Sequence, residues 1–282
     1  MIETKTSDTK PSFFECGKYR LPIGKKTYIM GILNVTPDSF SDGGSYKTVD
    51  EAVNRAKKMI SEGAHIIDVG GESTRPGYTP VDISEEISRV IPVIERLVKE
   101  TDVPISIDTY KSPVAEKALQ AGAHIVNDIW GLQKDPLMAE IAAKYGAAVI
   151  VMHNQDEKVY NNLMDDIVNF LRRSIEIAEK AGINKNSIMI DPGIGFGKTF
   201  EQNLETMRRL SELKSLCKPV LLGTSRKSMI GNVLDLPVDK RIEGTAATVA
   251  IGIASGVDVV RVHDVKEMAL VAKMSDAIIR GL

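Results

Sequence analysis

Eight times between Tyr28 and Arg280 the chain repeats one pattern: a short aliphatic or β-branched run, a turn, then a longer stretch with apolar residues at helical spacing. Strands that are apolar throughout are covered on both faces, and strands separated by helices run parallel. The pattern predicts strands at 28–34, 65–69, 105–108, 124–128, 147–153, 188–191, 220–223 and 258–262. It predicts helices at 49–62, 84–100, 113–121, 136–145, 162–181, 200–213, 240–255 and 265–280, the first with the helical apolar spacing of Glu51-Ala-Val-Asn-Arg-Ala-Lys-Lys-Met-Ile60. Eight β-α pairs with short connections imply an α/β fold, a single-domain (β/α)8 TIM barrel over residues 28–282. A weak internal repeat agrees: Gly63, Gly122, Gly146 and Gly256 each end a helix just before an apolar strand. Residues 1–27 form an N-terminal extension, and 13–26, punctuated by Gly17 and Gly24, predict a β-hairpin closing the bottom of the barrel.

The strand ends narrow the chemistry. Runs such as Ile29-Met-Gly-Ile-Leu-Asn34, Ile66-Ile-Asp68, Ile105-Ser-Ile-Asp108 and Ile188-Met-Ile-Asp191 finish in groups able to bind or react. Barrel enzymes keep their chemistry at the C-terminal ends of the strands, and the opposite face serves stability. This sorts the histidines: His65 and His124 start strands and belong at the bottom, whereas His153 and His263 end strands at the top. With 36 Lys+Arg against 38 Asp+Glu and no long basic block, nothing suggests a nucleic-acid track. Two isolated cysteines fit reduced thiols, the first ten residues lack a signal-like apolar stretch, and no run is long enough for a bilayer. The expectation is a cytoplasmic protein with small-molecule substrates and neither nucleic acid nor membrane as partner.

Several segments then carry a resemblance. Met30-Gly-Ile-Leu-Asn-Val-Thr-Pro-Asp-Ser-Phe-Ser-Asp-Gly-Gly44 and Asp68-Val-Gly-Gly-Glu-Ser-Thr-Arg-Pro-Gly77 resemble two signatures of the dihydropteroate synthases, which are pterin-binding enzymes. Ser106-Ile-Asp-Thr109, Asn127-Asp-Ile129, Asp191-Pro-Gly-Ile-Gly-Phe-Gly-Lys198, Gly223-Thr-Ser-Arg-Lys-Ser228 and Arg261-Val-His-Asp264 follow in that family's order. The resemblance implies a transferase of folate biosynthesis. It joins a (7,8-dihydropterin-6-yl)methyl diphosphate to 4-aminobenzoate, releases diphosphate, and is a target of sulfonamides.

It also implies roles. Asp191 accepts paired N–H bonds from the pterin edge, Asn127 and Asp108 complete that edge, and Lys227 donates to the ring carbonyl and N5. Met152 and Phe196 pack on the pterin, and Arg261 lies on its ring as a cation–π platform. Asn34, Thr74, Arg75, Arg261 and His263 take the diphosphate, with Asn34 also binding Mg²⁺. Phe40, Thr74, Pro76, Phe196, Lys227 and Ser228 surround the aminobenzoate. Segments 39–46 and 73–80 are expected lids, with Asp42 on the first meeting the amine or the cation late in the reaction. Asp108, Lys227, Arg261, His263 and Asp42 form the expected catalytic set, acting in a dissociative substitution where diphosphate leaves first. The family implies a homodimer. His153 and Asn154 receive no role. Two rivals share the barrel: a pterin-dependent methyltransferase, and an inactive pterin sensor that would have lost the phosphate ligands Asn34, Arg75, Arg261 and His263.

Overall fold

The computed structural model describes residues 10–35, 45–72 and 80–281, without the side chains of 45–48. Strands β1 (Phe13–Cys16) and β2 (Tyr19–Pro22) form an antiparallel hairpin. Its turn passes through Gly17, at φ +58°, where an added Cβ would lie 2.6 Å from the His124 ring. The barrel strands follow as β3 (Tyr28–Asn34), β4 (Ile66–Gly70), β5 (Ile105–Asp108), β6 (Ile125–Asp128), β7 (Ala148–Met152), β8 (Ile188–Asp191), β9 (Leu221–Leu222) and β10 (Val259–Val262). Between and after them run α1 (Ser45–Ser61), α2 (Ile83–Glu100), α3 (Ser112–Gln120), α4 (Met138–Lys144), α5 (Leu163–Ala181), α6 (Phe200–Arg208), α7 (Ser228–Leu234), α8 (Ile242–Ala254) and α9 (Val265–Arg280). All neighbouring barrel strands pair parallel, in the order β8-β7-β6-β5-β4-β3-β10-β9. The barrel closes between β8 and β9 through a bridge of Ile190 to Val220, with Ile190 N–H donating to Pro219 O at 3.0 Å. This is the expected (β/α)8 barrel.

Several elements differ from the expected bounds, and the strand expected at 220–223 shortens to Leu221–Leu222. The helix expected at 200–213 ends at Arg208, and a 3₁₀ stretch, Leu210–Leu216, continues it. A short extra helix, α7, intervenes before α8.

Apolar residues divide into two cores. Outward-facing residues such as Ile29, Ile67, Val69, Ile107 and Val149 pack under the helices. Inward-facing Met30, Ile66, Ile125, Ala148, Ile150, Met189, Leu221 and Val259 fill the barrel, capped by Phe14, Cys16 and Ile23 of the hairpin region. Strand side chains alternate, so the inward set continues two residues on. At the upper level the same strands present Asn34, Asp68, Asp108, Asn127, Met152, Asp191, Gly223 and Arg261. The interior thus changes from apolar to polar over one or two side-chain layers, and the site sits above that boundary.

The bottom histidines are where the strand rule puts them. His65 Nδ1 accepts the Ile29 N–H and His124 Nδ1 accepts the Ile105 N–H, each at 3.1 Å. Burial pulls the His65 imidazole down to about 4, with the Lys26 charge adding to the effect.

Candidate active site

Arg261, near the end of β10, is the centre of the polar layer. Its Nε donates to Asp68 Oδ2 at 2.6 Å and its Nη2 to Asp108 Oδ2 at 2.5 Å. Asn127 Nδ2 donates to the same Asp68 oxygen at 3.1 Å. Four side chains from β4, β5, β6 and β10 are thereby tied across the barrel mouth. Asp68 and Asp108 each keep a second buried oxygen, Oδ1, with no hydrogen-bond partner among the described residues, and the Ser106 hydroxyl between them is in the same state. Leaving such groups unpaired costs about 1–3 kcal/mol apiece, so they mark a place built to receive donors.

On the opposite arc, Asp191 ends β8 and is 6% exposed. Its Oδ1 accepts the Gly193 N–H at 2.7 Å. A Cβ on Gly223 would stand 3.9 Å from both Asp191 Oδ2 and Lys227 Nζ, which places both groups beside the end of β9. The Lys227 ammonium donates to Ile194 O and lies 4.6 Å from the centre of the Phe196 ring. Burial pulls that ammonium down to about 8, and Asp191 pulls the other way. Burial likewise pushes the Asp108 and Asp191 carboxyls up, against Arg261 for the first and Lys227 for the second.

Asn34, Asp108, Phe196, Gly223, Lys227, Ser228, Arg261 and His263 line one cavity of about 400 Å³. Asn34 Oδ1 comes within 3.7 Å of where a Gly70 Cβ would be, and Asp108 Oδ2 within 3.8 Å. His263 Nδ1 is 3.0 Å from Ser225 Oγ. Asn127 is 5% exposed, and Met152, 4% exposed, pairs in register with Asp191 at the ends of β7 and β8. Both are buried in the inward layer below the rim. Phe40, Asp42, Thr74, Arg75 and Pro76 lie outside the described residues, as do most of the two expected lids. The flanks of the second are firmly tied: Glu72 accepts from Val81 N–H at 2.8 Å and from Lys111 Nζ at 2.5 Å, and Lys111 also bonds Glu86 at 2.6 Å.

The residue set expected from the sequence omitted two groups. Asp68 stands in phase with Ile66 and Gly70 on β4, a signal that was present, but its partners are 59 and 193 positions away. Lys198 ends the glycine-rich segment after β8 and is 4% exposed. No cluster of three or more His, Cys, Asp or Glu able to hold a metal exists among the described residues. Asn34 in the cavity is a single oxygen donor, which suits a Mg²⁺ carried in by phosphate oxygens and does not suit a protein cage.

The chain belongs to the pterin-binding enzyme family, whose model matches residues 30–263. Within that family it stands with the dihydropteroate synthases. The dihydropteroate synthase of Clostridium beijerinckii is 58% identical over 265 residues, covering 94% of this chain and 98% of the relative. A crystal structure of dihydropteroate synthase from Clostridium difficile, determined in the presence of pteroic acid, superposes with a TM-score of 0.90 at 59% identity, covering 92% of this chain and 98% of that one. The Xanthomonas albilineans dihydropteroate synthase with 4-aminobenzoic acid gives a TM-score of 0.90 at 39% identity, covering 96% and 98%.

Proposed function

We propose that the chain joins (7,8-dihydropterin-6-yl)methyl diphosphate to 4-aminobenzoate, giving 7,8-dihydropteroate and diphosphate. The observation that carries this reading is the single cavity in which Asp108, held by Arg261, shares the lining with Asn34, Lys227, Ser228 and His263. A flat heterocycle with an amidine-like edge supplies N–H donors to carboxylates and acceptors to Lys227, so both halves of the site are satisfied together. Asp191 and Asn127 take that edge; Asp108 takes a further ring N–H. Arg261 is held in plane by Asp68 and Asp108, which presents its flat face to the ring and leaves its charge beside the leaving diphosphate. The diphosphate rests on Asn34, Thr74, Arg75, Arg261 and His263. The aminobenzoate ring lies against Phe196, Phe40 and Pro76, with Thr74 beside it, the Lys227 stem alongside and Ser228 at its carboxylate.

In the proposed mechanism the bond from the methylene carbon to the diphosphate oxygen breaks first. The carbon is conjugated to the ring C=N, so positive charge spreads into the pterin, where Asp108 and Asp191 oppose it with negative charge already in place. The amine lone pair then forms the C–N bond, and the amine proton leaves to solvent or to Asp42. Asn34 would hold a Mg²⁺, which when bound would supply positive charge to the departing diphosphate. His263 and Arg261 do the same from the protein side. Incubation with both substrates tests the reading: dihydropteroate and diphosphate must appear in equal amounts, and neither from one substrate alone. Deuterium on the methylene tests the order of bond changes, where an isotope effect near unity favours direct displacement.

The assembly we propose is a homodimer. Leu270, Met274 and Ile278 recur every fourth residue along α9 and are 64%, 62% and 68% exposed, and Ile279 of α9 and Ile251 of the adjoining α8 are exposed as well. An apolar stripe of this kind supports burial against a second copy. No described helix is long and apolar enough to cross a membrane; a cytoplasmic location and competition by sulfonamides for the aminobenzoate site are part of the same proposal.

A further inference from the structure

The segment after β8, Pro192 to Gly197, carries Phe196 into the cavity, yet it has few side chains with which to hold itself. Gly193, Gly195 and Gly197 adopt φ of +69°, +85° and +55°. A Cβ on Gly193 would fall 1.9 Å from His153 O, and one on Gly197 2.5 Å from Gln155 O, so the segment lies directly on the chain that follows β7. Two lysines grip it from opposite sides. Lys227, on the cavity side, donates to Ile194 O. Lys198, on the far side, donates to Gly193 O at 3.0 Å and Phe196 O at 3.2 Å, and its Nζ is 2.9 Å from His153 Nδ1.

The Lys198 ammonium is unusual chemistry for a purely structural peg. It is 4% exposed, and no carboxylate of the described residues lies within ion-pairing distance. Burial pulls it down to about 7, with Asp191 supporting its charge and Lys227 opposing it. His153 is 1% exposed and its ring packs edge-on to Phe170, with centroids 4.9 Å apart. Burial and the Lys198 charge hold that imidazole neutral, down to about 2, so Nδ1 is available as the acceptor. A methionine of similar length would fill the same space without a buried charge. What the ammonium adds is a fixed geometry for three hydrogen-bond acceptors, His153 Nδ1 and the Gly193 and Phe196 carbonyls.

We infer that Lys198, seated on His153, is a positioning residue for the aminobenzoate half of the site: by holding the Gly193 and Phe196 carbonyls it fixes the Phe196 ring. This inference rests on the proposed reaction. Phe196 also lines a second cavity of about 540 Å³, which shares Gly195, Phe196 and Ser228 with the first and is lined further by Lys198 and Trp130, the single tryptophan of the chain. Loss of the Lys198 tether therefore lets Phe196 leave the aminobenzoate face for that space, whereas the pterin edge on Asp191 and Asn127 stays in place.

The test is Lys198→Met in the full-length enzyme, with KM measured separately for each substrate. The expected result is a rise of about tenfold or more in KM for aminobenzoate, with KM for the pterin diphosphate within about threefold of wild type, together with a shift in Trp130 emission. His153→Leu should change the same parameters in the same direction, and His153→Gln, which keeps an acceptor, should return them towards wild type. His153→Leu decides the question should Lys198→Met not fold. Folded variants with both KM values unchanged, or raised equally, overturn the inference. Absence of turnover in the wild-type enzyme would instead refute the proposed reaction, which separates the two failures.

Discussion

Lys227 sits where two demands meet. Its ammonium must stay charged to face Asp191 and a ring carbonyl, yet burial pulls it down to about 8. The group is a cation below that value and loses its charge as pH rises through it. The kcat/KM profile for the pterin substrate is therefore expected to fall above pH ~8, approaching tenfold per unit. A profile flat to pH 10 would remove Lys227 from its role. Lys227→Ala is expected to lower kcat/KM by ~10²-fold or more, and His65→Ala, at the bottom face, to leave it within about threefold; steady-state kinetics on both variants check the assignment of top and bottom. At this scale the sequence showed which strands end in polar groups, because alternation and position suffice for that. It did not show that Asp68 would pair with Arg261, nor that Lys198 would reach back to His153, because such partnerships depend on the curvature that brings distant strands together.

Short elements do much of the positioning. Phe14 of β1 is fully buried against the lower barrel layer, and Tyr19 of β2 packs edge-on to His124 at 5.0 Å. Phe14→Ala should destabilise the fold by ~3–5 kcal/mol in denaturant unfolding while leaving both KM values unchanged, since the hairpin touches the face opposite the chemistry. Altered KM values at unchanged stability would contradict that separation. Strands β3, β5 and β8 were legible to the residue, since β-branched runs mark them, and the hairpin was legible as a segment from its turn glycines. The two-residue β9 and the short α7 were less so. α7 spans only seven residues, too few for a helical period to stand out, and it ends at Asp235 in the left-handed region.

For the molecule as a whole, eightfold alternation was enough to define the barrel, and the barrel in turn makes neighbours of residues far apart in sequence. Oligomeric state is a property the alternation does not encode. The exposed stripe of Leu270, Met274 and Ile278 predicts a dimer, and Leu270→Glu combined with Met274→Glu should yield a monomer by sedimentation velocity. A wild-type monomer at micromolar concentration would show that the stripe has another use. The account as a whole requires that one mouth holds both ligands at once. The most direct measurement is a crystal structure with a non-hydrolysable pterin diphosphate analogue and 4-aminobenzoate bound together. It should show the pterin edge on Asp191 and Asn127, N–H donors reaching the free oxygens of Asp68 and Asp108, and the aminobenzoate ring between Phe196 and Lys227. Density for either ligand at the hairpin face, or against Trp130 and Lys198 instead, would contradict it.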